Sequence, residues 1–274
     1  MNKVAINLID ETFAALKAAD KTALVPFITV GDPNPELTVD IIATLEEAGA
    51  DVIELGVPYS DPLADGPVIQ RASLRALEHE ITIDTCIQTA KAARARGVKL
   101  PFVLFTYFNP VLQYASLPAF FHAVQEAGIS GLIIPDLPFE ESEQILTLAD
   151  QANVYLIPLV APTSNERIAA ILSRARGFIY CVSSLGVTGE RASFFEGVQS
   201  FIHDVKVITS LPVAVGFGIS SKEQVEQFSQ WCDAVVVGSA IVRKIEESIP
   251  LLMEENTKTD GLLQIKNFVS QLKA

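Results

Sequence analysis

The chain is 274 residues long, 49% hydrophobic and 19% charged, with a formal net charge of −13. That apolar share suits a well-buried globular protein of one large or two small domains and excludes a disordered chain. The acidic balance offers no clustered Lys and Arg for nucleic acid or an anionic membrane surface, so neither is expected as a partner.

The N-terminus, "MNKVAINLIDETFAALKAADK", lacks a continuous apolar core and a cleavage site. Ile6, Ile9, Phe13 and Leu16 recur at helical spacing, which predicts an amphipathic helix rather than a targeting segment. No apolar run approaches the ~18–20 residues that span a bilayer, so a soluble, cytoplasmic protein is expected. Cys86, Cys181 and Cys232 are odd in number and widely spaced, which reads as reduced thiols.

Short runs rich in Val, Ile and Phe then follow at 23–30, 51–55, 101–106, 131–134, 154–160, 178–182, 212–215 and 233–237. Helical spacing lies between them at 36–48, 118–127, 141–151, 165–174 and 221–230, and a polar loop at 254–261 leads to a closing helix at 262–273. Near-continuous apolar strands alternating with amphipathic helices predict a parallel sheet covered by helices. Eight such units fit a single (β/α)8 barrel over residues 1–274, with an open doubly wound sheet as the alternative.

In a (β/α)8 barrel the chemistry sits in the loops at the strand C-termini. The second strand ends in Glu54 and runs into "ELGVPYSDPLADGP" (54–67), where Pro58, Pro62, Gly66 and Pro67 forbid regular structure and shape a loop holding Asp61 and Asp65. Other strand ends bear Gly31-Asp32-Pro33, Tyr107 and Asn109, Asp136, and Tyr180, which leads into 183–197. The last two strands run into "GFGIS" (216–220) and "GSAIV" (238–242), glycine-rich turns that offer backbone N–H groups and a helix start to a phosphate. Gly189 adds a further amide, whereas Ser220 and Ser239 also fit plain helix N-caps.

His79, His122 and His203 fall in helical segments, no Lys stands at a strand end, and no Ser-His-Asp arrangement exists. Zinc, Schiff-base and serine chemistry therefore lack their groups. Carboxylate acid–base work remains, supported by a tyrosine. Glu54 has no strand-end Arg to pair with and reads as catalytic. Asp65 reads as catalytic or as loop-shaping, Asp61 as a turn residue or a surface contact, and Tyr180 as core or functional. Phe27 and Phe105 read as core, Asp32 and Asp136 as loop-shaping.

The stretch "ELGVPYSDPLADGPVIQRA" (54–72), with "PFITVGDP" (26–33), "SSLGVTG" (183–189) and "GFGIS", resembles the tryptophan synthase alpha subunit family from about Thr22 to Val242. The resemblance implies a (β/α)8 fold and a lyase that cleaves indole-3-glycerol phosphate to indole and glyceraldehyde 3-phosphate. It implies an α2β2 complex whose beta subunit carries pyridoxal phosphate, with no cofactor or metal in this chain. By position, Glu54 and Asp65 match the catalytic carboxylates, and Tyr180 the tyrosine beside the glutamate. Phe27 matches the ring that packs on indole, Tyr107 a tyrosine near the site, and Thr188 the threonine of a mobile loop. Gly189, Gly218, Gly238 and Ser239 match the phosphate ligands, and Pro58 and Asp61 lie on the rim facing the beta subunit. A stand-alone lyase of the same chemistry, another phosphate-binding barrel, or a regulatory subunit with little activity are the alternatives.

Overall fold

The computed structural model describes residues 6–164, 167–182, 197–216 and 218–273. Its strands are β1 (Ala23–Thr29), β2 (Ile53–Gly56), β3 (Phe102–Phe105), β4 (Ile129–Ile133), β5 (Tyr155–Leu156), β6 (Leu159–Val160), β7 (Ile179–Val182), β8 (Val213–Gly216) and β9 (Ala234–Val237). The helices are α1 (Leu8–Ala18), α2 (Pro35–Glu47), α3 (Pro67–Leu77), α4 (Ile83–Ala95), α5 (Phe108–Leu112), α6 (Leu117–Glu126), α7 (Glu143–Gln151), α8 (Ile168–Leu172), α9 (Val198–Ile208), α10 (Lys222–Ser229), α11 (Ser239–Leu252) and α12 (Lys258–Leu272).

All strand pairs are parallel, and β1 joins β2 on one side and β9 on the other. The eight expected strands become nine among the described residues because Ile157-Pro158 interrupts the fifth, whereas Pro26 is accommodated within an unbroken β1. The ring still closes there: Ile157 N donates to Leu132 O at 2.8 Å, and Pro158 O accepts from Tyr180 N at 3.1 Å. The expected barrel is the observed fold.

Alternation along each strand sorts the side chains into two cores. Leu24, Ile53, Leu55, Leu104, Leu132, Val215 and Val235 point outward to the helices. Val25, Phe27, Val103, Phe105, Ile133, Tyr180, Ala214 and Val236 fill the interior. The N-terminal helix closes the lower mouth, with Phe13 against Phe178 at 5.5 Å between ring centres. Asn7 seats this helix: its side chain accepts from Ile9 N at 2.9 Å and donates to Ser130 O and Asn153 O. The buried face is Ile9 and Phe13; Ile6, expected on it, precedes the helix and is 68% exposed. The last helix begins at Lys258, inside the segment expected to be polar loop.

No helix among the described residues is long and apolar enough to cross a membrane. The three cysteines are free and buried.

Candidate active site

Strand β2 delivers Glu54 to the interior by alternation: Ile53 and Leu55 face the helices, so Glu54 faces the barrel axis, in register with Phe27 on β1 and Val103 on β3. The site's floor is therefore apolar. Glu54 is 1% exposed, and its Oε1 has no hydrogen-bond partner among the described residues. Burial alone pushes its carboxyl up to about 8, so it holds its proton at neutral pH.

Asp65 sits above it, at the end of the Pro-rich loop. Tyr107 Oη donates to Asp65 Oδ2 at 3.3 Å and accepts from Ala64 N at 3.0 Å, and Gln70 Nε2 donates to Asp65 O at 2.7 Å. Tyr59 stacks on Tyr107 at 4.8 Å. Burial raises the Asp65 carboxyl to about 6, against the opposing hydrogen bond from Tyr107. The two acids thus straddle neutrality, one protonated and one ionised.

Phe27, Glu54, Asp65, Tyr180, Gly218, Gly238 and Ser239 line one cavity of about 30 Å³, together with Ile69, Phe105 and Val236. Phe27 and Phe105 meet edge to face at 5.7 Å. The aromatic walls need glycine beside them. A Cβ on Gly56 would run into the Phe27 ring, and one on Gly216 into the Tyr180 hydroxyl. Burial holds the Tyr180 phenol well above its ordinary range, and the neighbouring Glu54 charge adds to this, so the phenol stays protonated.

At the glycine-rich turns expected to take a phosphate, Gly238 precedes α11 and Ser239 is its first residue, without a side-chain cap bond. Serine 220 does not cap α10: Ser221 does, its hydroxyl accepting from Gln224 N, while Ser220 N donates to the Gln224 side chain at 2.7 Å. Neither serine expected as an N-cap takes that position. Thr188, Gly189 and the rest of 183–196, with Phe217, lie outside the described residues. On the rim, Asp61 is exposed and bonded to Ser60 Oγ at 2.6 Å, while Pro58 is buried and presents little surface. Leu63 beside them is 76% exposed.

Two residues read as loop-shaping have defined partners. Asp136 accepts from Phe108 N at 2.9 Å, and Asp32 forms an ion pair with Arg75. His79 lies in the turn after α3, while His122 and His203 are helical. Among the described residues no group of three or more His, Cys, Asp or Glu could hold a metal ion. Sequence reasoning missed Ile69 and Val236. Ile69 follows from the helical phase once α3 starts at Pro67, and Val236 from alternation with Ala234.

A family model described as tryptophan synthase alpha chain matches residues 13–274. The chain is 52% identical over 252 residues to the tryptophan synthase alpha chain of Halalkalibacterium halodurans, covering 92% of this chain and 95% of that one. It is 49% identical over 259 residues to that of Geobacillus sp. strain WCH70, covering 94% and 98%. Among solved structures, tryptophan synthase subunit alpha from Legionella pneumophila superposes with a TM-score of 0.87 at 37% identity, over 98% of this chain and 97% of that one. A chain of Mycobacterium tuberculosis tryptophan synthase gives 0.85 at 35% identity, over 96% of each chain. The family model spanning residues 13–274 and relatives about half identical over nearly the whole chain, on a barrel with an interior glutamate, place the chain in the tryptophan synthase alpha chain family.

Proposed function

We propose that Glu54 and Asp65 carry the lyase reaction of this family, the cleavage of indole-3-glycerol phosphate to indole and glyceraldehyde 3-phosphate in tryptophan biosynthesis. The observation that supports these roles most is the pair of opposite carboxyl states, about 8 for Glu54 and about 6 for Asp65, lining one cavity. Protonated Glu54 donates to indole C3, which makes the ring an electron acceptor. Ionised Asp65 accepts the ring N–H bond and stabilises the positive charge that develops on nitrogen. Glu54, now a carboxylate, takes the proton of the side-chain hydroxyl. The C–C bond breaks, its electrons restore the indole, and the aldehyde leaves with the phosphate. Each proton is returned, so no other acid is needed.

Phe27 and Phe105 wall the ring, and Tyr107 orients Asp65. The phosphate rests at Gly218, Gly238 and Ser239, where the start of α11 faces the cavity. Gly238 gives the cleaner test of this. Gly218 has φ +103°, where any side chain adds backbone strain, whereas a Cβ on Gly238 would meet Phe27 at an ordinary 3.6 Å. Gly238→Leu is expected to leave Tm within a few degrees and to weaken glycerol phosphate binding by ~10-fold or more, because it blocks approach to the amides. Unchanged affinity by calorimetry would move the phosphate elsewhere.

The whole of residues 1–274 acts as one barrel domain in the cytoplasm, without its own cofactor, and docks by its C-terminal rim on a beta subunit that carries pyridoxal phosphate, as an α2β2 complex. Exposed Asp61 and Leu63 supply the contact surface. Indole release from indole-3-glycerol phosphate, measured with and without a beta subunit, tests the reading: activation supports the complex, and full activity alone with no activation favours a stand-alone lyase. Asp61→Ala is expected to reduce partner activation much more than the activity of the isolated chain, since among the described residues its side chain bonds within its own loop, to Ser60. Equal losses in the two assays would assign Asp61 to the local site.

A further inference from the structure

Arg71 and Arg75 stand one turn apart on α3, and both hold Glu246 of α11. Arg71 Nε and Nη2 donate to Glu246 Oε1 and Oε2 at 2.9 and 2.7 Å, and Arg75 Nη1 donates to Glu246 Oε1 at 2.6 Å. The other edge of Arg75 forks onto Asp32, in the turn between β1 and α2, with Nε and Nη2 donating to the two carboxylate oxygens at 2.8 and 2.9 Å. The Asp32 side chain is 2% exposed, and the Arg75 and Glu246 side chains are about one quarter exposed. Arg71 is half-exposed, so its fork on Glu246 is the weaker one, whereas the sheltered Arg75–Asp32 fork is far more directional than an exposed pair.

None of these four side chains lines the cavity, yet both helices they join begin there. Helix α3 starts directly after Asp65, its cap is Gly66, and its Gln70 holds the Asp65 carbonyl. Helix α11 starts at Ser239, seven residues before Glu246, or about 10 Å along the axis. The joint therefore bolts the element that carries Asp65 to the element whose N-terminus faces the phosphate.

We propose that Asp32, Arg71, Arg75 and Glu246 are positioning residues that set the distance between Asp65 and the start of α11, and so select a substrate whose ring N–H and phosphate lie that distance apart. This rests on the roles assigned above to Asp65 and to α11. Each end of the site binds its own half of the substrate whatever the spacing. The whole substrate gains from both ends only when the spacing matches, because the second contact is then intramolecular.

The test compares whole and half ligands on the full chain. Glu246→Ala is expected to raise KM for indole-3-glycerol phosphate by ~10-fold with a smaller fall in kcat, while Kd for glycerol phosphate and for 3-methylindole stays within ~2-fold. Glu246→Gln, which keeps an acceptor for both arginines, should recover part of the loss. Arg75→Lys, a point charge that cannot fork to both acids, should repeat the pattern with a measurable Tm. Equal weakening of whole and half ligands would reduce the joint to a support of the fold, and no change in any of them would remove it from substrate selection. A wild type that binds neither half would overturn the site assignment, and this inference with it.

Discussion

Glu54→Gln should lower kcat by ~10² or more while substrate still binds, because the amide keeps the size of the side chain and removes the proton it transfers. The same substitution should change the response of stability to pH. Folded Glu54 keeps its proton to about 8 against an ordinary 4.5, since burial disfavours its charge. The unfolded chain releases that proton first, so the wild type has this stability in full below pH 4.5 and loses it as pH rises through 8. The loss is roughly 3 kcal/mol by pH 7. The variant has no such proton. Its Tm relative to wild type should therefore climb across that window, whatever the amide costs at acid pH. Near-normal turnover would remove Glu54 from the mechanism, and parallel Tm curves would contradict its buried, protonated state.

Asp65→Asn should be of similar severity, ~10² or more in kcat, because a neutral amide stabilises a cationic ring poorly. The pH profile identifies the cause. With both acids present, kcat/KM should rise near 6 as Asp65 ionises and fall near 8 as Glu54 loses its proton. Asn at 65 should abolish the rise and leave the fall. Full activity of the variant would assign Asp65 to loop shape alone, the role its bonds to Tyr107 and Gln70 would then serve.

The strands and the carboxylates were legible because both depend on local order. Period-two alternation put Glu54 inward, and Pro58, Pro62 and Pro67 could not be part of a strand. Where the sequence reading went astray, two local signals competed. Ser220 and Ser221 are adjacent and either could cap a helix; the bond from Gln224 decides for Ser221. Ile6 continues the apolar spacing but lies ahead of the Asn7 cap. Pro158 lies inside an apolar run just as Pro26 does; β1 continues through Pro26 and the fifth strand stops at Pro158, a difference the run alone did not carry. The joint of Asp32, Arg71, Arg75 and Glu246 left no local trace. Its members come from three distant segments, and a charged residue on a helix reads as surface until its partner is placed.

A ring of strands is held no more firmly than its thinnest join. Opposite the broad contact of β1 with β9, the interrupted fifth strand meets its neighbours through two short edges, with Leu156 and Ile157 leaning on one side and Pro158 and Leu159 on the other. The barrel is thus two arcs laced along a seam. One arc, β1 to β4, carries the glutamate; the other, β7 to β9, carries the tyrosine and the glycine-rich turns. Slow breathing of the native state should start where the lacing is sparse, so amide protons along 155–160 exchange before those of β1.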